Sequence, residues 1–148
     1  MRLIVSEAVS NSYFAGLEEG GVTPDEFTEE DAATVDGLIY DQFEHIGGFV
    51  QFVLGACDNL EAAYDRTDLW VVSIQAAGQA GLNSAKQNEM VVFGGIDGEE
   101  SCNDCQRFKT EAHRRKWFVA HNYLPATPGS ALACSGWLCQ HELVAVRP

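Results

Sequence analysis

Four of the five cysteines stand in two short pairs, Cys102-x2-Cys105 and Cys134-x4-Cys139, while Cys57 stands alone. A structural zinc ion takes four thiolate or imidazole ligands in a tetrahedron, usually delivered by two such pairs. Gly98 and Gly136 ease the turn at each pair, and the 28 residues between Cys105 and Cys134 form a loop that metal closure would order. His141 follows Cys139 by two residues. On an extended strand these two side chains share a face, so His141 can replace Cys134. Five candidates thus compete for four places around one structural Zn2+. The leading set is Cys102, Cys105, Cys134 and Cys139, with His141 substituting or supporting a ligand from behind.

The bland alternative is four reduced, inert cysteines. Disulfides in an exported chain would leave one thiol unpaired, because five is odd. A thioredoxin-type role is set aside because the Cys-x2-Cys follows neither a central strand of a βαβ unit nor a clear helix start. Zinc deaminases need His-x-Glu upstream of their Cys-x2-Cys, whereas here His141-Glu142 lies downstream.

Residues 107–116 hold Arg107, Lys109, Arg114, Arg115 and Lys116 against Glu111, with Phe108, Trp117 and Phe118 beside them and His113 and His121 in or near the run. This mixture suggests a nucleic-acid contact. The competing reading, favoured by the acidity of the chain, is that the run neutralises acidic helices or meets an acidic partner surface. No Ser/His/Asp order, phosphate-binding glycine loop or paired catalytic carboxylates stand out, so no enzyme is expected. A metal-dependent enzyme would require an open coordination position, with His113, His121 or His141 as ligand or base.

These groups need elements to hold them. Val5, Val9, Tyr13 and Leu17 recur every four residues and predict a helix over 4–18, closed by Gly20-Gly21. Thr23-Pro24-Asp25-Glu26 and Thr28-Glu29-Glu30-Asp31 are helix-start signals. A long stripe follows through Val35, Ile39, Phe43, Ile46, Val50, Val53 and Cys57, with a kink or two abutting helices expected at Gly47-Gly48. Cys57 on that stripe reads as a small buried apolar residue. Asp65-Arg66-Thr67-Asp68 predicts the cap of a helix from Leu69 to about Lys86. That helix carries Trp70 and Ile74, then Ala76, Ala77, Gly78, Ala80 and Gly81. Its small residues permit close approach, which places it centrally among the helices. The period then changes, and Met90–Phe93 and 142–146 read as strands. The expected fold class is α+β: an acidic helical bundle over 1–87 and a strand-containing Cys/His zinc-binding module over 88–148.

Of the 148 residues, 22 are acidic and 9 basic, a net charge of -13. Residues 1–65 hold fourteen of the acids against Arg2, while 66–148 are balanced at eight and eight. A general nucleic-acid coat protein needs a basic surface, which this half lacks. Apolar residues make up 46%, too many for an acidic disordered tail. The uncharged stretches 45–57 and 69–85 are too short or too polar to span a bilayer, and Glu7 interrupts any signal-peptide core. A soluble, intracellular protein is expected.

The order of features resembles the C-terminal part of phage head morphogenesis proteins, the Mu F-like minor head family. There, helices precede a short strand, then a Cys-x2-Cys, a Pro-Gly stretch and a terminal Cys-rich strand. The matching residues are Val91-Val92-Phe93-Gly94-Gly95, Cys102-Asn103-Asp104-Cys105, Leu124-Pro125, Pro128-Gly129-Ser130 and Cys134 through Cys139 to His141 and Leu143. Ala76–Gly81 is similar to the segment before that module, and the resemblance covers about 69–146. The family usually ends in Cys-x-Cys where this chain has His141 at the second position, which favours His141 as a ligand. Family members commonly carry a further portal-associated region. The resemblance implies a virion or head-assembly protein that binds portal, capsid or other head proteins, located in the virion or host cytoplasm. The second expectation is a free-standing intracellular zinc-binding adaptor or regulator; a metal-dependent enzyme comes third.

Overall fold

The computed structural model describes residues 2–55, 60–95, 101–127, 129–136 and 139–146. Cys57 and Gly98, and the surroundings of the Trp70 side chain, lie outside the described residues. The chain is α+β and divides into two compact units, Met1–Ala85 and Lys86–Pro148.

The first unit has three helices, α1 (Arg2–Glu19), α2 (Glu29–Gly55) and α3 (Leu60–Ala85). On α1 the four-residue stripe turns inward as expected: Val5, Val9, Tyr13 and Leu17 are all buried. The helix ends in a Schellman turn, in which the Gly21 N–H reaches the Glu18 carbonyl and the Val22 N–H the Leu17 carbonyl. Gly21 supplies the positive φ of 95° that this turn requires. The two start signals have different outcomes. The first caps only a short 3-10 turn, Pro24–Glu26, where the Glu26 carboxylate accepts from the Thr23 N–H at 2.9 Å and its hydroxyl at 2.7 Å. The second opens α2, with Asp31 Oδ2 accepting from the Thr28 N–H at 3.0 Å while the Asp31 N–H donates to Thr28 Oγ1 at 3.2 Å.

Ser12 Oγ donates to the Ile74 carbonyl at 2.7 Å, and Gly20 lies against Ala85, so α1 and α3 run the same way. Their backbones meet at glycine. A Cβ built on Gly16 would lie 2.0 Å from the Gly78 carbonyl oxygen, and one on Gly81 would lie 2.0 Å from that of Tyr13. The small-residue patch of α3 therefore does allow close approach. Helix α3 packs on both other helices, more heavily on α1 than on α2.

Helix α2 runs unbroken through Gly47-Gly48, so the sequence does not split there into two abutting helices; glycine lacks only propensity and removes no ladder hydrogen bond. Another expectation fails. Helix α3 begins at Leu60, so Asp65–Asp68 is helix interior and not a cap. The preceding Leu-Glu-Ala-Ala-Tyr has good helix propensity, and one Thr with two Asp costs too little to stop propagation. The α2 stripe is also covered only in part. Val35 and Ile46 are buried, whereas Val50, Val53 and Leu54 are exposed. At 1.5 Å per residue α2 is about 40 Å long and α1 about 27 Å, so the last turns of α2 outrun its neighbour.

The second unit holds an antiparallel sheet of order β2-β1-β3, from β1 (Met90–Gly95), β2 (His113–Arg114) and β3 (His141–Ala145). Val91 pairs with His113 and with Ala145, Phe93 with Leu143, and Gly95 with His141. Two short helices, α4 (Asn103–Phe108) and α5 (Arg115–Ala120), lie between the first two strands in sequence or directly after β2. Neither was predicted, because six residues show less than two turns of period. The alternate residues Val91 and Phe93 point inward from β1 and join Cys105, Phe108, Phe118 and Leu132 in one core. The stretch between the cysteine pairs is therefore not a loop that only a metal would order. Phe108 and Phe118, both 0% exposed, anchor it with rings 5.1 Å apart.

Candidate metal centre

The two cysteine pairs are held by different means. Cys102 is the N-cap residue of α4 and Cys105 sits in its first turn, buried at 1% exposure. A three-residue step along a helix brings side chains together, and the two sulfurs are 3.4 Å apart. The structure thus supplies the helix start that the sequence did not reveal. The central strand β1 also precedes it, but the sheet is antiparallel throughout, so no βαβ unit is present.

Cys134 lies in a tight loop closed by hydrogen bonds from Gly129 N–H to the Ser135 carbonyl and from Ser135 N–H to the Leu132 carbonyl. Gly136, at φ 72°, turns the chain so closely that a Cβ there would lie 1.9 Å from the Thr127 carbonyl oxygen. Glycine is required at that point. Asp104, between the first two cysteines, ties this loop to α4 by accepting the Ala133 N–H at 2.9 Å. Sequence reading missed this role. A carboxylate inside a Cys-x2-Cys is a weak signal until its backbone partner, 29 residues away, is known.

Cys139 lies two residues before His141, the first residue of β3. Their two-residue spacing sets Cys139 Sγ 3.6 Å from His141 Nδ1, and Cys139 Sγ is 3.9 Å from Cys105 Sγ. All five candidates thus converge in two overlapping sets, Cys102–Cys105–Cys134 and Cys105–Cys139–His141, each with its donor atoms within 4.8 Å of one another. Cys105 belongs to both. Sulfur and imidazole donors in this arrangement can hold a metal ion. None of Cys102, Cys105, Cys134 and Cys139 is in a disulfide.

Backbone donors also address the sulfurs. Burial opposes ionisation of Cys102, but N–H groups of Cys105 and Cys134 bring its thiol below the ordinary value. At Cys134 burial raises the thiol despite a bond from the Gly136 N–H, and neighbouring Cys102 adds to the rise. Cys105 is pushed strongly upward by burial, then by Cys102 and Cys139. Three crowded sulfurs resist sharing negative charge, and a bound cation relieves that repulsion.

The other two histidines do not join the cluster. His113 and His121 lie on either side of the Trp117 ring, at centroid distances of 3.8 and 4.3 Å, and His121 Nδ1 is 2.8 Å from the Trp117 carbonyl oxygen. Neither belongs to a candidate metal group among the described residues. The basic run is also dispersed. Arg115 is buried against Glu89 at 2.9 Å, and Arg107 lies between Asp104 at 3.9 Å and Glu111 at 3.6 Å. Nearby acids thus offset part of the run, and it does not form one cationic stripe.

Comparison with protein-family models, with curated proteins and with solved structures yields no match to this chain. No helix among the described residues is long and apolar enough to cross a membrane.

Proposed function

We propose that this chain is a structural protein of a phage-type head, with a zinc ion stapling its second unit, and that it acts by contacts with portal, capsid or other head proteins in the virion or in the host cytoplasm during assembly. The observation that supports the zinc staple is the convergence of four thiols and one imidazole from the start of α4, the 131–136 loop and the chain entering β3. Ligands of a tetrahedral zinc stand about 3.3–3.8 Å apart, given bonds of about 2.0–2.3 Å. The sulfur–sulfur and sulfur–nitrogen separations of 3.4, 3.9 and 3.6 Å fall close to that spacing. Five protein donors for four positions leave no open place for a substrate or reactive water, which favours a structural over a catalytic ion. The head-assembly role rests on the residue order from Val91 to Leu143.

Native mass spectrometry of chain prepared without chelator tests the first half. One zinc per chain is expected, lost on acid treatment; a chain with no metal increment rules the staple out. Co-sedimentation tests the second half. The chain should travel with proheads or particles of its source, and its absence from both ends the assembly reading.

A further inference from the structure

Resting on the zinc reading, we infer that the same cluster is a peroxide-sensitive clasp, in which Cys102 and Cys105 form a disulfide and release the ion. The shortest sulfur–sulfur separation given by the structure, 3.4 Å, joins these two within one turn of α4. Bringing them to bonding distance needs no movement of one chain segment relative to another. Their exposures assign different roles. Cys102 is half-buried and open to a small oxidant, while Cys105 is enclosed at 1% exposure, with the aromatic core on one hand and the Cys102 and Cys139 sulfurs on the other.

The chemistry balances with a hydroperoxide as oxidant. The Cys102 sulfur attacks a peroxide oxygen, the O–O bond breaks, and the departing oxygen leaves as water (or an alcohol) after taking a proton. Cys102 is then a sulfenic acid. The Cys105 sulfur attacks Cys102, an S–S bond forms, the S–O bond breaks, and hydroxide leaves as water with a second proton. Two electrons pass from the sulfur pair to one peroxide. Cys134, Cys139 and His141 remain, but they belong to different donor groups joined only through Cys105, so its oxidation takes a ligand from both and the closed four-ligand site is lost.

The consequence is local. Phe93, Phe108, Phe118 and Leu132 share one core with Cys105, which keeps its place there when it bonds to the neighbouring Cys102, and Asp104 still holds the Ala133 N–H. Oxidation should free the stretch around Cys134 and Cys139 while the aromatic core persists. The cluster would then report or respond to oxidising conditions without unfolding its unit.

The test uses full-length, zinc-loaded chain carrying Cys57→Ser, so that only the clustered thiols remain. Hydrogen peroxide is added, and zinc release is followed with a chromogenic chelator. Disulfides are mapped by non-reducing peptide mass spectrometry. The expected result is one zinc released per Cys102–Cys105 disulfide, reversed by a thiol reductant plus zinc. Zinc retained through oxidation, or released with a Cys134–Cys139 or Cys105–Cys139 disulfide instead, overturns the clasp while leaving the staple intact. A chain that carries no zinc before peroxide overturns the zinc reading itself. Chelator-stripped chain supplies the second measurement: it should still form the Cys102–Cys105 disulfide first, and any other first pairing counts against the assignment.

Discussion

The two units solve the same problem, burying enough surface to hold a short chain together, in opposite ways. In Met1–Ala85 the decisive contacts are made where side chains are missing. Gly16, Gly78 and Gly81 let α1 and α3 touch backbone to backbone, and the apolar stripes close over that seam. In Lys86–Pro148 the decisive contacts are the largest side chains available. Phe93, Phe108 and Phe118 meet at ring distances of 5.1 to 5.5 Å, beside a cluster of sulfurs. One unit therefore tolerates no added atom at its centre, and the other tolerates no removed one. A metal clasp belongs with the second kind, because a small unit with little regular structure gains most from a cross-link between distant segments.

The comparison breaks most readily at Gly81. Gly81→Ala places a methyl 2.0 Å from the Tyr13 carbonyl oxygen, a backbone atom that cannot turn aside. Loss of about 3 kcal/mol or more of first-unit stability is expected in urea unfolding, with the second unit unchanged. A shift below about 1 kcal/mol would mean that α1 and α3 are not in such contact. Phe118→Ala should cost the second unit a similar amount, about 3–5 kcal/mol, read from the aromatic circular dichroism of the module. Because the aromatic core and the metal site share Cys105, the same variant should also weaken zinc retention.

Chelation is the next smaller disturbance and sharpens the contrast inside the second unit. Hydrogen exchange should accelerate around 133–140, yet stay slow at Val91 and Phe93 on the central strand. Uniform acceleration across both would show that the aromatic core cannot stand without metal.

Acid supplies a milder test of the first unit. Burial alone would raise the Asp31 carboxyl, but hydrogen bonds from the Thr28 hydroxyl and N–H and from Tyr13, 2.6 to 3.0 Å long, hold it below its ordinary value. The folded pKa is therefore depressed. Its stabilisation is complete above the unfolded value of about 3.9 and fades as pH falls through the folded one. Asp31→Asn should cost about 1–2 kcal/mol at neutral pH, and its difference from the parent should shrink below about pH 4. A pH-independent difference would assign the cost to packing. The smallest effect has the opposite sign. Gly47→Ala meets nothing within 4 Å and should stabilise α2 by about 0.5–1 kcal/mol, in direct contrast to Gly81→Ala.

How far the fold was legible follows from the length over which each signal repeats. The stripe Val5, Val9, Tyr13, Leu17 spans several turns, so its buried face was readable directly. Met90–Phe93 and 142–146 were readable as strands because each is a short apolar run rich in β-branched residues, the first closed by Gly94-Gly95. Helices α4 and α5 were not, since each is shorter than the period needed to detect it. The Asp65–Asp68 signal misled because a cap sequence is local, whereas a helix already propagating passes through it.

The sequence by itself determined the inventory: five metal donors in two short groups, an acidic helical half, and glycines where turns must close. Only the tertiary structure decided which donors meet. It set Cys105 in both donor groups, sent His113 and His121 to the faces of Trp117 instead, and split the basic run between a buried pair with Glu89 and a surface pair of acids. The physical reason is range. Spacing along the chain fixes neighbours within a turn or a strand, but the 3.9 Å between Cys105 and Cys139 depends on how α4 and β3 settle against one aromatic core.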